Sequence, residues 1–81
     1  MSGPSILIVE DEPATRTGLT ELVRTWGFTA EAAVDGVEAI EKLASFRPSI
    51  VISDLMMPRM DGLELLRTIA AEGGGPAVIL I

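Results

Sequence analysis

Short apolar runs alternate along the chain with segments whose apolar residues recur every three to four positions. Residues 6–9 (ILIV) form a continuous, β-branched-rich run that predicts a buried strand, and the run ends in the acids Glu10, Asp11 and Glu12. Pro13 suits the first turn of a helix, where its missing N–H costs nothing. Leu19, Leu22, Val23 and Trp26 then fall at i, i+3, i+4 and i+7, which predicts the inward stripe of that helix, and Gly27 is its stop. Residues 28–34 (FTAEAAV) predict a second strand, a weak one because alanine packs poorly on a sheet. Asp35 with Glu38 three positions on is a capping pattern, and Val37, Ile40, Leu43 and Ala44 continue a second helix until residues 47–49 (RPS) break it. Residues 50–53 (IVIS) predict a third strand, tipped by Asp54. Asp61 and Glu64 repeat the capping pattern, with Leu63, Leu66, Ile69 and Ala70 as the stripe of a third helix. Residues 72–76 (EGGGP) are a flexible break, and residues 77–81 (AVILI) predict a fourth strand.

The resulting order, β-α-β-α-β-α-β, implies an α/β fold with a parallel sheet and right-handed crossovers. Ligands of such sheets collect beyond the carboxyl ends of the strands, near the switch in strand order. Glu10 and Asp11 follow the first strand and Asp54 ends the third, so the three carboxylates converge at one rim if those strands are neighbours. Carboxylates brought together repel one another, which makes a hard cation a natural occupant, and Mg2+, which takes few protein oxygens and keeps several waters, fits best.

Composition narrows the chemistry. With 81 residues and 48% hydrophobic content there is room for one core. Twelve acidic against six basic residues give a net charge of −6, which argues against a nucleic-acid-binding surface within these residues. Without cysteine or histidine the chain has no thiolate chemistry and lacks the commonest general base and metal ligand, so any metal is held by oxygen. No apolar run approaches the roughly 18 residues of a membrane span, and the first residues (MSGPS) lack the basic and apolar regions of a signal peptide, so a soluble, cytoplasmic protein without membrane contact is expected.

Taken singly, most of the polar residues have plain structural explanations. Asp35 and Asp61 read as helix caps rather than ligands, and Glu12 as a solvated or capping acid. Met56, Met57 and Met60 read as loop packing, and Trp26 as a core or helix-face residue. The EGGGP segment lacks the lysine and Ser/Thr of a phosphate-binding loop. Asp54 alone would read as a strand-end residue accepting backbone hydrogen bonds, but the acidic pair and its surrounding residues point to chemistry.

Three stretches, ILIVEDE, DGVEAIE and VISDLMMPRMDGLELLRTI, resemble the receiver domains of two-component response regulators, and the resemblance extends over residues 6–81. It implies a flavodoxin-like parallel sheet of order 2-1-3-4-5 with helices on both faces. It also implies that Asp54 accepts a phosphoryl group from a histidine kinase, with Asp11 a direct Mg2+ ligand, Glu10 an acidic partner acting through water, and the Met56 carbonyl completing the protein ligands. Such a domain catalyses its own phosphorylation and turns over no separate metabolite. The first acid is Glu10 where the family more often has aspartate. Receivers continue past the fourth strand with a Ser or Thr, a fourth helix, a fifth strand ending in lysine and a fifth helix, so residues 1–81 correspond to the N-terminal portion of a single receiver domain. On that reading residues 77–81 form an uncovered edge, and receiver–receiver contact or self-association through it is expected. Two other readings compete: a receiver-like binding or scaffolding module that is never phosphorylated, and a Mg2+-dependent aspartyl-phosphate hydrolase. The hydrolases carry their nucleophile in an Asp-x-Asp after the first strand, where this chain has Glu10, Asp11 and Glu12.

Overall fold

The computed structural model describes residues 4–55, 61–73 and 75–81. The elements are β1 (Ser5–Val9), α1 (Pro13–Thr25), β2 (Thr29–Ala33), α2 (Gly36–Phe46), β3 (Ile50–Ser53), α3 (Gly62–Glu72) and β4 (Ala77–Leu80), in the order the sequence predicts. The strands form one sheet of order β2-β1-β3-β4, parallel throughout. The register pairs Ile6 with Ile50 and Val9 with Ser53, so β1 and β3 end side by side.

Alternation along the strands divides the core in two. Ile6 and Ile8 face α1, where they meet Val23, Leu19, Ile50 and Ile52. Leu7, Val9 and Val51 face the other way, against Ala39 of α2 and Leu65 and Ile69 of α3. Both faces of the central strands are therefore covered, which is why β1 is continuously apolar from Ile6 to Val9.

The caps are local and follow the sequence. Glu12 is the N-cap of α1, its Oε1 accepting from the Thr15 N–H at 2.7 Å, and Pro13 occupies the first turn. Asp35 Oδ1 accepts from the Glu38 N–H, and Glu38 reaches back to the Val34 N–H at 2.7 Å. Asp61 Oδ1 accepts from the Glu64 N–H at 2.9 Å. Gly27 follows α1 at φ +93°, a left-handed conformation that a side chain resists.

The inward faces of the helices differ from the predicted stripes. In α1 Val23 is buried and Leu19 half-buried, but Leu22 and Trp26 are exposed; Thr20 takes the second buried position, its hydroxyl donating to the Arg16 carbonyl. Trp26 is the C-cap, 64% exposed, at the far end of a 13-residue helix and so roughly 20 Å from the rim that carries the acids. In α2 Ala39 is fully buried in the core, with Ile40, Leu43 and Phe46 packed against the same cluster, while Ala44 is exposed. In α3 Leu65 and Ile69 are buried, Leu66 is half-buried, and Leu63 and Ala70 are exposed. These helices carry apolar residues on more than one side, and small residues fit the positions nearest the sheet, so periodicity alone selects a stripe rotated from the one that packs.

Candidate functional site at the carboxyl rim of the sheet

The rim is built by backbone hydrogen bonds that continue the sheet beyond its last paired residues. The Asp54 N–H donates to the Val9 carbonyl at 2.9 Å, the Glu10 N–H to the Ala33 carbonyl at 3.1 Å, and the Ile81 N–H to the Ser53 carbonyl at 3.0 Å. Glu10 and Asp54 thus leave adjacent strands at the same level. One carboxylate oxygen from each of Glu10, Asp11 and Asp54 lies within 4.8 Å of the others. The condition set by the sequence, that the first and third strands be neighbours, is met.

The three acids differ in exposure. Glu10 is buried, at 6% exposure, Asp54 is half-buried and Asp11 is exposed. Loss of water pushes the Glu10 carboxyl above its ordinary range; the Glu12 N–H, donating to Glu10 Oε2 at 3.2 Å, opposes this, and the neighbouring Asp11 and Asp54 side chains reinforce it. Glu12 shifts the other way, held below its usual range by hydrogen bonds from the Thr15 N–H and hydroxyl and from the Ala14 N–H. It is spent on capping α1 and stands outside the cluster. Three oxygen donors, one of them a desolvated carboxyl that neighbouring acids disfavour in its charged form, suit a small hard cation. Met56, Met57 and Met60 lie outside the described residues, and with them the carbonyl expected to complete the ligand set.

Two residues that sequence reasoning passed over shape the rim. A Cβ built on Gly62 would stand 2.6 Å from the Asp54 carbonyl oxygen and 3.0 Å from the Leu55 Cα, and the Gly62 N–H donates to the Leu55 carbonyl at 2.8 Å. The start of α3 is therefore pressed onto the backbone of Asp54, closer than any side chain permits. In the sequence the Asp-Gly pair signals only a cap; the close approach is tertiary. Arg16, in the second turn of α1, donates from Nη1 to the Glu10 carbonyl at 3.0 Å and to the Asp11 carbonyl at 3.4 Å.

A parallel sheet of order β2-β1-β3-β4 with helices on both faces, and with acids clustered where the two central strands end, defines a flavodoxin-like fold of the receiver type. The chain matches the model of the response regulator receiver domain over residues 6–81, and it belongs to that family, the receiver domains of two-component systems. It is 42% identical over 76 residues to the response regulator MprA of Mycobacterium ulcerans (strain Agy99), an alignment covering 94% of this chain and 33% of the relative. The chain thus spans about a third of the length of the curated relatives it matches. Among solved structures it resembles the response regulator TrrA of Thermotoga maritima, a complex with Mg2+ and BeF, with a TM-score of 0.89, 35% identity and coverage of 96% of this chain and 68% of that one. The signal receiver domain of a signal transduction histidine kinase from Syntrophus aciditrophicus superposes with a TM-score of 0.91 and 36% identity, covering 98% of this chain and 61% of that one. Among the described residues no helix is long and apolar enough to cross a membrane.

Proposed function

We propose that this chain is a phosphoacceptor, in which Asp54 takes a phosphoryl group from the phosphohistidine of a sensor histidine kinase at a site that binds Mg2+. The observation that carries the reading is the convergence of the Glu10, Asp11 and Asp54 carboxylates within 4.8 Å at the ends of adjacent strands. Asp11 and Asp54 would ligate the ion directly, Glu10 through a water, and the Met56 carbonyl would complete the protein ligands. When bound, the ion neutralises charge on the transferring phosphoryl group and on the carboxylates around it. An Asp54 carboxylate oxygen attacks phosphorus, the bond from phosphorus to the donor's nitrogen breaks, and an acyl phosphate forms on the side chain. The N-termini of α1 and α3 open onto the same rim and add a field favourable to negative charge. The reaction modifies the protein itself, so it has no separate turnover substrate. Residues 1–81 act as the N-terminal portion of one receiver domain, in the cytoplasm where sensor kinases present their phosphohistidine.

The test is incubation with a small phosphodonor, with and without Mg2+, followed by separation of phosphorylated from unmodified protein. Mg2+-dependent labelling supports the reading. A protein that takes no label under either condition is a receiver-like scaffold, and steady release of phosphate from an added ester would make it a hydrolase.

A further inference from the structure

We propose that Arg16 is the positioning residue of the acidic loop, holding Glu10 and Asp11 in the converged arrangement that a cation needs; the inference rests on the reading of these acids as the Mg2+ site. Residues 10–12 leave β1 and turn into α1, and the carbonyls of this stretch lie where the sheet ladder has ended and the helix has only begun. Arg16 takes all three. Its Nη1 donates to the Glu10 carbonyl at 3.0 Å and the Asp11 carbonyl at 3.4 Å, and its backbone N–H to the Glu12 carbonyl at 2.9 Å. Three consecutive carbonyls are thereby fixed by one residue, itself anchored in the helix and half-buried. With the carbonyls turned toward the guanidinium, the Glu10 and Asp11 side chains are directed to the Asp54 side of the loop, against their mutual repulsion. Arginine suits the task because its planar fork offers several donors of fixed geometry.

Two effects of removing Arg16 oppose each other, and their sign separates a positioning role from a merely electrostatic one. Loss of a positive charge near the acids, acting alone, tightens binding of a divalent cation. Loss of the clamp lets the loop carbonyls and the acids move apart, which weakens it. Partners that orient metal ligands are worth about 10- to 100-fold in affinity, whereas a screened, partly exposed charge is worth far less, so the clamp wins. Arg24 supplies the control. It lies on the same helix and its Nε and Nη2 both donate to the Ala30 carbonyl, at 3.2 and 2.7 Å, at the end remote from the acids. Removing it deletes the same charge and comparable hydrogen bonds without touching the loop.

The experiment is calorimetric titration of the chain with MgCl2, comparing the unaltered protein with R16M and R24M, together with amide hydrogen exchange of residues 10–15 in the absence of metal. R16M is expected to bind Mg2+ about tenfold more weakly and to exchange faster at residues 10–15, while R24M stays within about twofold in affinity. Unchanged or tighter binding in R16M overturns the proposal, as does an equal loss in R24M. Where R16M fails to fold, R16Q, polar like arginine but too short for its amide to take the place of Nη1 on the Glu10 and Asp11 carbonyls, carries the same expectations. An unaltered chain that binds no Mg2+ defeats the site reading itself, whereas an unaltered chain that binds and an R16M that binds equally well defeat only the role given to Arg16.

Discussion

Gly62→Ala is predicted to destabilise the chain although it replaces a helical glycine with the best helix former. The new Cβ would lie 2.6 Å from the Asp54 carbonyl oxygen, 3.0 Å from the Leu55 Cα and 2.9 Å from Leu80 Cδ2. The leucine methyl can rotate away, but the other two atoms are backbone, so relief requires the start of α3 to move off the end of β3. Overpacking of this kind costs about 1–3 kcal/mol, and lengthening the 2.8 Å bond from the Gly62 N–H to the Leu55 carbonyl removes about 1 kcal/mol more. The opposing gain in helix propensity is at most about 1 kcal/mol, leaving a net loss of about 1–3 kcal/mol. Gly18 is the matched comparison: it lies inside α1, a Cβ added there would meet nothing within 4 Å, and G18A is expected to stabilise by up to about 1 kcal/mol. Urea denaturation followed by far-ultraviolet circular dichroism, at one fixed protein concentration, measures both. A G62A midpoint at or above that of the unaltered chain refutes the reasoning, and so does a loss of equal size in G18A.

Two further predictions concern pH and association. Because burial raises the Glu10 carboxyl, the metal-free folded chain holds a proton that the unfolded chain releases, so stability falls as pH rises above the ordinary glutamate value of 4.5; E10Q should flatten that fall, and an unchanged pH–stability profile in E10Q, read by thermal melts without metal, sinks the assignment. Ile79 in the edge strand β4 is 48% exposed and Ile81, just past its end, 58%, so the 81-residue chain is expected to self-associate at micromolar concentration and I79K to reduce it; sedimentation velocity showing one monomeric species for the unaltered chain contradicts this.

The order of elements, the N-caps Asp35 and Asp61 and the meeting of Glu10, Asp11 and Asp54 were legible in the sequence because each rests on local signals: apolar runs, Asp/Glu spacing, and acids at the ends of strands whose adjacency follows from the fold; Glu12 read equally well as a solvated acid or a cap. Which face of each helix packs was not. Leu63, Leu65 and Leu66 are equally apolar, and only the position of the sheet makes Leu65 the buried one and leaves Leu63 in water. The same holds for Trp26, whose spacing set it on the inward stripe but whose place at the end of α1 leaves it exposed. The rim was visible as a set of acids but not as a constructed loop: the approach of Gly62 to Asp54 and the reach of Arg16 to the Glu10 and Asp11 carbonyls exist only once α1 and α3 are docked. For Arg16 a signal was nonetheless present, since a long donor in the second turn of a helix lies within reach of the loop that precedes it.

The most direct measurement is site-resolved phosphorylation of the protein expressed from its full reading frame, with a small phosphodonor, by mass spectrometry of its peptides. One phosphoryl group is expected on Asp54, requiring Mg2+, absent in D54N and strongly slowed in D11A while both variants stay folded. Label on another residue, label retained in D54N, or labelling indifferent to Mg2+ would contradict the assignment of Asp54 as the acceptor and of the acidic rim as its metal site.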